Sequence, residues 1–363
     1  MKVAIVFGTR PEIIRLSRVI PSLERFCSLT LVHTGQNYDE RLSDVFFKEL
    51  GVRTPDIQFG VRSSGFAEQA GQIVQRTGEH FEQSRPDRLL VLGDTNSGLA
   101  AIVAARMRIP VYHMEAGNRC YDDRVPEEIN RRVIDHSSDV LMPYTQRSKE
   151  NLVREGIARE RIFVTGNPIY EVLTHYAASI DGSDVLGRLG LGAGSYFLVT
   201  LHRAENVDLP QRLERLMTGL ARVADAYRLP LVVSLHPRTA DRLASFGLAP
   251  GSDRVRLLPP LGFSDFVHLE QHARCVLSDS GTVQEECAIF RVPSVTLRDV
   301  TERPETIEAG SNVITGDDPE TIVRLVRLAV ESPSAWTAPD GYLAPQVSTT
   351  VAKIVLGYDY RPA

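Results

Sequence analysis

The sequence has 363 residues, 43% of them hydrophobic and 24% charged, which suits about two packed domains and excludes a disordered or fibrous protein. Lys and Arg number 41 against 46 Asp and Glu, a net charge of -5, so neither nucleic acid nor an anionic membrane is an expected partner. The four cysteines show no CxxC spacing and no apolar run is long enough for a leader or a membrane span, so we expect a soluble, cytoplasmic protein without disulfides.

Short apolar runs alternate with amphipathic stretches along the chain, which is the pattern of strands and helices around parallel sheets. In the first half, the predicted strands are Lys2–Phe7, Leu29–His33, Arg88–Leu92, Pro110–His113, Val140–Met142 and Arg161–Val164. In the second half, they are Tyr196–Leu201, Pro230–Leu235, Val255–Leu258, Cys275–Leu277 and Ser294–Leu297. This alternation predicts an α/β fold with two Rossmann-like, doubly wound domains that face each other across a cleft.

The seam between the two domains is expected at residues 165–168, TGNP, where a predicted strand ends and a helix begins. We therefore predict an N-terminal domain over residues 1–167 and a C-terminal domain over 168–344. A last apolar helix, within residues 345–363, is expected to return to the first domain.

Polar residues follow several of the predicted strands. In the first half, they are the segment 8–12 (GTRPE), Asp94 and Glu115; in the second half, they are His202, His236 and the segment 279–282 (DSGT). Open parallel sheets bind ligands beyond the carboxyl ends of their strands, because backbone amides and helix N-termini meet there. The clusters are therefore expected to line one cleft, with carboxylates for acid–base chemistry on one side and donors for a diphosphate on the other.

Structural explanations compete with this functional one. Asp94 could cap a helix, Glu127 and Arg131 have the spacing of a surface ion pair, and residues 302–305 (ERPE) could be a charged turn. His268, His272 and Cys275 resemble a metal spacing, but we expect the two histidines on the solvated side of a helix and no metal site. The chain has no GxGxxG motif after the first strand and no P-loop lysine motif, which leaves a diphosphate-bearing substrate rather than a dinucleotide cofactor or ATP.

Six segments together resemble the non-hydrolysing UDP-N-acetylglucosamine 2-epimerase family. They are residues 8–12 (GTRPE), 93–95 (GDT), 113–117 (HMEAG), 126–131 (PEEINR), 279–281 (DSG) and 301–305 (TERPE). The resemblance implies a glycosyltransferase B-type fold with the UDP-sugar in the interdomain cleft, a homodimer, and catalysis with no metal or nicotinamide cofactor. It also implies the reaction: UDP is eliminated to leave a 2-acetamidoglucal and is added back after the C2 proton has been replaced on the opposite face.

Carried onto this sequence, the resemblance implies two sets of site residues. Catalysis is assigned to Asp94, Glu115, Glu127, His202 and Arg131. Binding of the UDP-sugar is assigned to Arg10, Arg15, Gln36, His202, His236, Phe263, Ser280, Gly281, Thr282, Glu286 and Arg303.

Two positions bear on the substrate. Arg15 stands where many members of the family have Lys, and Asn37 stands where many have His. The loop from Glu115 to Glu127 is also about two residues shorter than in the best-known members. Together with the segments 117–120 (GNRC) and 124–126 (RVP), these differences resemble the branch that acts on UDP-N-acetyl-6-deoxyhexosamines. The leading prediction is conversion of UDP-N-acetylglucosamine to UDP-N-acetylmannosamine, and the alternatives are a deoxy-sugar epimerase, a hydrolysing epimerase, a glycosyltransferase of the same fold, and a nucleotide-sugar sensor without activity.

Overall fold

Two parallel sheets form the framework of the chain, one in each of its two units. The computed structural model describes residues 1–36, 40–62, 65–332 and 335–360, with residues 40–44 described by their backbone alone. The first unit comprises Met1–His175 and Asp340–Ala363, and the second comprises Tyr176–Pro339. Within the described residues, no helix has both the length and the hydropathy needed to cross a membrane.

The first unit contains six strands: β1 Lys2–Phe7, β2 Ser28–His33, β3 Ile57–Gln58, β4 Arg88–Leu92, β5 Val111–Met114 and β6 Val140–Met142. Its helices are α1 Arg10–Leu16, α2 Val19–Glu24, α3 Glu40–Glu49, α4 Phe66–Ser84, α5 Ala100–Arg106, α6 Pro126–Ser137, α7 Gln146–Arg154, α8 Ile169–His175 and α18 Val347–Gly357. The strands lie in the order β3-β2-β1-β4-β5-β6 and every pair is parallel. This is the strand order of a Rossmann fold.

The second unit repeats the plan with β7 Phe197–Thr200, β8 Leu231–Ser234, β9 Val255–Leu258, β10 Cys275–Ser278, β11 Ser294–Thr296 and β12 Asn312–Ile314. Its helices are α9 Ala177–Asp181, α10 Val185–Leu189, α11 Ala204–Val207, α12 Pro210–Tyr227, α13 Pro237–Phe246, α14 Phe263–His272, α15 Gly281–Phe290, α16 Pro304–Glu308 and α17 Pro319–Glu331. The strand order is β12-β11-β10-β7-β8-β9, again all parallel. The expectation of a doubly wound α/β chain is confirmed.

Length and burial explain why the central strands were easier to predict than the two shortest, partly exposed edge strands. All residues of β4 and β5 are buried, because helices cover both faces of a parallel sheet and select continuous apolar runs. The short edge strands β3 and β12 are only partly buried, and the sequence prediction missed both. The predicted strand Arg161–Val164 is wrong: the segment forms a 3-10 turn over Arg159–Arg161 and a single bridge from Ile162 to Leu141.

The first boundary between the units lies at 175/176 rather than at 167/168 as predicted. Helix α8 packs on α1, and the Glu171 side chain accepts hydrogen bonds from both the backbone N–H and the hydroxyl of Ser348. These contacts keep α8 with the first unit. The second boundary lies at 339/340 rather than at 344/345, because the backbone of Gly341 accepts a hydrogen bond from Asn167 of the first unit.

The last helix is held by its C-terminal end as well as by its apolar face. Helix α18 packs against α2, and its Val351 and Val355 are buried. Arg88 of β4 donates to the carbonyl of Val355, and the hydroxyl of Tyr112 in β5 donates to the carbonyl of Tyr358. The chain therefore returns to the first unit after completing the second.

Candidate active site

The candidate residues lie near the point in each sheet where the order of the strands reverses. In the first sheet the order of strands reverses between β1 and β4, and in the second between β7 and β10. The carboxyl ends of strands at such a reversal leave a crevice that binds ligands in open α/β sheets. Arg10 and Asp94 follow β1 and β4, while His202 and Ser280 follow β7 and β10.

The turn after β1 is organised by the buried carboxyl of Glu12. Its Oε2 accepts hydrogen bonds from the backbone N–H of Gly8 at 3.1 Å and of Thr9 at 2.8 Å, which makes a capping box for α1. The hydroxyl of Thr95, next to Asp94, donates to Glu12 Oε1 at 3.2 Å. Burial raises the pKa of Glu12 to about 7, against the lowering effect of these hydrogen bonds. Glu12 therefore ties the β1 turn to the β4 turn.

Two predicted ligand-binding side chains of the first unit project from this region. The guanidinium of Arg10, the first residue of α1, lies 5.7 Å from the ring centroid of Phe46. The Oε1 atom of Gln36 accepts a hydrogen bond of 3.3 Å from Ser97. Asn37 lies outside the described residues. Arg10 is therefore placed beside the N-terminus of α1, where an anion would be favoured.

Asp94 forms an ion pair with Arg131. Asp94 Oδ2 lies 2.8 Å from Nε and 2.7 Å from Nη2 of Arg131, and Nη1 of the same arginine lies 2.6 Å from Glu128. The alternative that Asp94 merely caps a helix does not account for this ion pair with Arg131. Glu127 is half-buried in the first turn of α6, whereas its neighbour Glu128 is buried and accepts from the backbone N–H groups of residues 120 and 121.

Glu115 follows β5 and pairs with the predicted ligand residue Arg15. Its Oε2 contacts the Arg15 guanidinium and accepts a hydrogen bond of 3.2 Å from the hydroxyl of Tyr144. Its Oε1 accepts from Asn118 at 3.3 Å. A Cβ built on Gly93 would lie 3.8 Å from Glu115 Oε2, so the Glu115 carboxylate reaches the turn that carries Asp94. Unlike most non-glycine residues, Glu115 has a positive φ of 65°, a strained conformation often found at active sites.

In the second unit, His202 is oriented by the buried carboxylate of Asp279, which the sequence places in a strand-end cluster but to which no role was assigned. Asp279 Oδ1 lies 3.0 Å from His202 Nδ1, and the carboxylate accepts from the backbone N–H groups of His202 and Arg203 and from Asn206 Nδ2. Burial raises the pKa of Asp279, but His202 and these hydrogen bonds outweigh burial and hold the pKa well below its ordinary value. Since Nδ1 is engaged, Nε2 is the ring atom that His202 can offer to a phosphate.

His236 lies next to His202, with 5.8 Å between the ring centroids. Its Nδ1 accepts from the backbone N–H of Arg238 at 3.2 Å and so caps α13, which places the ring proton on Nε2. Phe263 begins α14 and packs edge-on against Tyr176 at 5.8 Å. The structure thus brings His236 beside His202. Phe263 packs against Tyr176 at the start of α14 in the second unit.

The N-terminus of α15 is a tight turn built from Ser280, Gly281 and Thr282. Ser280 is the N-cap residue, and its hydroxyl lies 3.4 Å from that of Thr282. A Cβ at Gly281 would lie 2.7 Å from Glu302 Oε1, so only glycine fits without displacing that buried carboxylate. The free N–H groups of a helix N-terminus favour a negatively charged group.

Glu286 and Arg303 lie on the buried side of this turn. Glu286 shares a side-chain hydrogen bond with Glu270 of α14, and burial together with the Glu286 charge raises the pKa of Glu270 well above its ordinary value. Arg303 forms a buried ion pair with Glu285, so the ERPE segment is not the exposed charged turn of the structural alternative. One proton shared by Glu270 and Glu286 relieves the repulsion of two adjacent carboxylates.

The histidines with metal-like spacing are not arranged as a site. Contrary to the expectation that both are solvated, His268 is buried, and its Nδ1 donates to the carbonyl of Ile180 at 2.8 Å. His272 Nδ1 donates to the carbonyl of His268. Over the ranges that the structure describes, no group of three or more His, Cys, Asp or Glu side chains is placed to hold a metal.

Glu128 and Asp279 lie in segments that the sequence singles out, 126–131 and 279–282, but neither was assigned a role of its own. Glu128 stands three residues before Arg131, the other ion-pair spacing on a helix besides the four residues of Glu127. Asp279 directly follows the C-terminal end of β10, the position type that led us to Asp94. The sequence contained no comparable signal for Tyr144, whose contact with Glu115 depends on tertiary packing.

Comparison with known proteins gives the same assignment. A family model described as UDP-N-acetylglucosamine 2-epimerase matches residues 22–356. The UDP-N-acetylglucosamine 2-epimerase of Methanocaldococcus jannaschii is 39% identical over 349 residues, covering 94% of this chain and 95% of that protein. The UDP-2,3-diacetamido-2,3-dideoxy-D-glucuronate 2-epimerase of Pseudomonas aeruginosa is 34% identical over 336 residues, covering 91% and 92%.

Solved structures extend the comparison to the fold. The crystal structure of the M. jannaschii UDP-GlcNAc 2-epimerase in complex with UDP-GlcNAc and UDP aligns with a TM-score of 0.94 at 37% identity, covering 98% of this chain and 99% of that one. Acinetobacter baumannii MurG aligns with a TM-score of 0.56 at 12% identity, a likeness of fold alone. These alignments confirm the glycosyltransferase B-type fold. The chain belongs to the UDP-N-acetylglucosamine 2-epimerase family, a family of isomerases.

Proposed function

We propose that the protein is a UDP-N-acetylhexosamine 2-epimerase that converts UDP-N-acetylglucosamine to UDP-N-acetylmannosamine by elimination and re-addition of UDP. The observation that carries the proposal is the pair of arginine-bound carboxylates, Asp94 and Glu115, at the ends of adjacent parallel strands. Family membership and the UDP-GlcNAc complex of the M. jannaschii enzyme support the same substrate class. No cofactor is part of the proposal.

In the first half of the reaction, a carboxylate removes the proton from C2 of the sugar. The C2–H electron pair forms the C1=C2 bond of a 2-acetamidoglucal while the C1–O bond breaks, and UDP leaves with the electron pair of the C1–O bond. In the second half, a carboxylic acid returns a proton to C2 on the opposite face and UDP adds back at C1. Two carboxylates that follow adjacent strands at the same edge of the sheet can serve the two faces of the sugar.

We assign proton transfer to Asp94 and Glu115 because each is fixed at the end of a strand and oriented by a guanidinium. Arg131 and Arg15 hold these two side chains in fixed directions. In the proposed scheme one is ionised and takes the C2 proton, and the other is protonated and supplies a proton to the opposite face. Glu127, which follows a loop, is assigned to orienting a partner or assisting the leaving group. The roles are thus assigned by how rigidly the backbone holds each side chain, at the end of a strand or after a loop.

The proposal assigns diphosphate binding to Arg10, His202, His236 and the N-terminus of α15. Arg10 offers a guanidinium, the histidines offer ring nitrogens, and the turn at Ser280 offers backbone N–H groups. Such donors stabilise departing UDP as its charge develops. Glu286 is proposed to accept from the ribose hydroxyls, with Arg15, Gln36, Phe263, Thr282 and Arg303 completing the binding set.

Proton NMR of the purified protein with UDP-N-acetylglucosamine in deuterium oxide tests the mechanism. In deuterium oxide, the acid that protonates C2 on the opposite face carries a deuteron taken from the solvent, so the epimerised product should carry deuterium at C2. A product with protium at C2 would exclude elimination through C2 and with it the proposed carboxylate roles. Accumulation of free UDP and free N-acetylmannosamine would indicate a hydrolysing epimerase instead.

A second candidate substrate is a UDP-2-acetamido-6-deoxyhexose of the UDP-N-acetyl-L-fucosamine type. The 34% identical P. aeruginosa relative is named for a different UDP-acetamido sugar, so the family is not restricted to one hexosamine. A panel of UDP-N-acetylhexosamines with and without the 6-hydroxyl, compared by kcat/KM, separates the two candidates. A homodimer in the cytoplasm stays a prediction from the sequence.

A further inference from the structure

A network of buried charges lies between the turns that carry Asp94 and Glu115. Its centre is His113, at the end of β5, whose side chain is 1% exposed. His113 Nε2 lies 2.8 Å from the carbonyl oxygen of Gly93, the residue before Asp94. His113 Nδ1 lies 2.8 Å from Oδ1 of Asp135 in α6, so one imidazole joins a strand-end turn to a buried carboxylate.

Asp135 extends the network to the second turn. Its Oδ2 accepts from the backbone N–H of Gly117 at 3.2 Å and lies 2.8 Å from Arg119 Nη2. The Arg119 guanidinium forms two further bonds, of 2.8 and 2.6 Å, with Glu155. We call His113, Asp135, Arg119 and Glu155 the His113 network. It therefore holds backbone atoms of both turns.

The hydrogen bonds have a defined direction. A carbonyl oxygen only accepts, so His113 Nε2 donates to Gly93. Burial raises the pKa of Asp135, but His113 and Arg119 outweigh burial and hold it below the ordinary value. Asp135 is therefore an ionised acceptor, and its Oδ1 engages His113 Nδ1. Neither ring nitrogen of His113 remains to act on a substrate.

The backbone that the network holds has an unusual conformation. Gly93, Glu115 and Gly117 have φ angles of 71°, 65° and 79°, in the left-handed region that disfavours residues with a Cβ. A Cβ at Gly117 would lie 2.3 Å from the carbonyl oxygen of Ser148. Such conformations persist when the surroundings fix them, and a buried ion-pair network is by itself a weak source of stability.

We propose that His113 is a positioning residue for catalysis: it fixes Asp94 through Gly93 and fixes Glu115 through Asp135 and Gly117. This inference rests on the proposed epimerase function and adds a role to residues outside the reacting set. His113 contacts neither the substrate nor the reacting atoms in this scheme.

Two substitutions separate the two side-chain contacts of His113, with Gly93 and with Asp135. The amide nitrogen of Asn stands near the position of Nδ1, so His113→Asn keeps the Asp135 contact and loses the Gly93 contact. The amide nitrogen of Gln reaches the position of Nε2, so His113→Gln keeps the Gly93 contact. We expect His113→Asn to lower kcat about 10- to 100-fold with the dissociation constant for UDP within about twofold of wild type, and His113→Gln to recover at least part of this loss.

A double-mutant cycle distinguishes positioning from general destabilisation. If His113 acts through Asp94, His113→Asn should lower kcat less than about threefold when Asp94→Asn is already present. Equal effects of His113→Asn in both backgrounds would overturn the inference, as would a proportional loss of UDP binding. His175→Asn is the control, because His175 ends α8 of the same unit, and its exposed side chain contacts Arg18 rather than the His113 network; its kcat should stay within about twofold of wild type.

Urea unfolding shows whether each variant is folded. If His113→Asn does not fold, Asp135→Asn is measured in the Glu115→Gln background in the same way. Asp135→Asn weakens the link from His113 to Gly117 and leaves the contact of His113 with Gly93. A wild-type protein that epimerises none of the UDP-N-acetylhexosamines would overturn the proposed function. A folded, fully active His113→Asn variant of an active wild type would overturn this inference alone.

Discussion

The strand-end clusters of the two units use charge in opposite ways. In the first unit, Asp94 and Glu115 are each paired with an arginine. In the second unit, Asp279 is completely buried and supports donors, namely His202 and two backbone N–H groups. The first arrangement presents carboxylates that can exchange protons, and the second presents groups that attract an anion. This contrast is the reason why we propose proton transfer for the first unit and most of the diphosphate contacts for the second.

Two buried carboxyl groups show how the surroundings decide the charge. Glu12 in the first unit and Asp279 in the second both lie at the reversal point of their sheet. Glu12 accepts hydrogen bonds from neutral groups only, and burial raises its pKa to about 7. Asp279 adds an imidazole to its backbone donors, and its pKa falls well below the ordinary value. The same depth therefore gives opposite shifts of the pKa, because only Asp279 has an imidazole partner in addition to its neutral donors.

The largest expected effect concerns the proposed bases of the first unit. Asp94→Asn and Glu115→Gln keep the size of the side chain and remove its affinity for a proton, so kcat should fall by about two to four orders of magnitude. The dissociation constant for UDP, measured by calorimetry, should stay within about threefold of wild type. Asp123→Asn is the control, because Asp123 pairs with Arg132 and its side chain is 72% exposed.

Loss of UDP affinity as large as the loss of kcat would contradict the division of labour between the units. It would mean that the carboxylates of the first unit shape the binding site. Unchanged kcat in both variants would remove Asp94 and Glu115 from proton transfer.

The second prediction uses pH to read the buried Glu12. A carboxyl whose folded pKa is about 7 and whose unfolded value is about 4.5 stabilises the fold below pH 4.5, and that contribution is lost as the pH rises through 7. Between pH 5 and pH 8 the loss amounts to about 2 to 3 kcal/mol. Glu12→Gln cannot ionise, so its stability should change less than that of wild type over this range.

Urea unfolding of wild type and Glu12→Gln at pH 5 and pH 8 measures this difference. Glu79→Gln, at an exposed position of α4, serves as the control and should follow the wild-type curve. A Glu12→Gln profile parallel to wild type would mean that Glu12 is ionised in the folded protein, as Asp279 is.

The third prediction concerns Arg10, the one residue of the first unit to which we assign a contact with the diphosphate. Arg10→Ala should weaken UDP binding by about 1.5 to 3 kcal/mol, the range for a hydrogen bond to a charged group. Arg25→Ala is a matched control, because the Arg25 guanidinium also lies over a phenylalanine ring, at 5.5 Å from Phe26 against 5.7 Å for Arg10 over Phe46. Equal UDP affinities of the two variants would place the diphosphate on the second unit alone.

Much of the fold was predictable because central parallel strands are continuous apolar runs, as in β1 and β4. The edge strands β3 and β12 escaped because they have only two and three residues and are partly exposed. The strand-end rule located Asp94, Glu115 and His202. It could not identify their partners, since the contacts of Tyr144 with Glu115 and of Asp279 with His202 join residues far apart in sequence.

The smallest expected effect is that of Asp279→Asn in the second unit. The substitution keeps an oxygen for the backbone N–H groups and removes the charge that aligns His202 Nδ1. Because His202 then loses its fixed orientation toward the diphosphate, UDP affinity should fall about tenfold, the weight of one weakened charge-assisted hydrogen bond. The rate at saturating substrate should fall less, since Asp94 and Glu115 are untouched. Asp253→Asn, at an exposed position of the same unit, controls for the lost charge. A kcat decrease with unchanged UDP affinity would instead show that the second unit takes part in proton transfer, and the contrast between the two clusters would not hold.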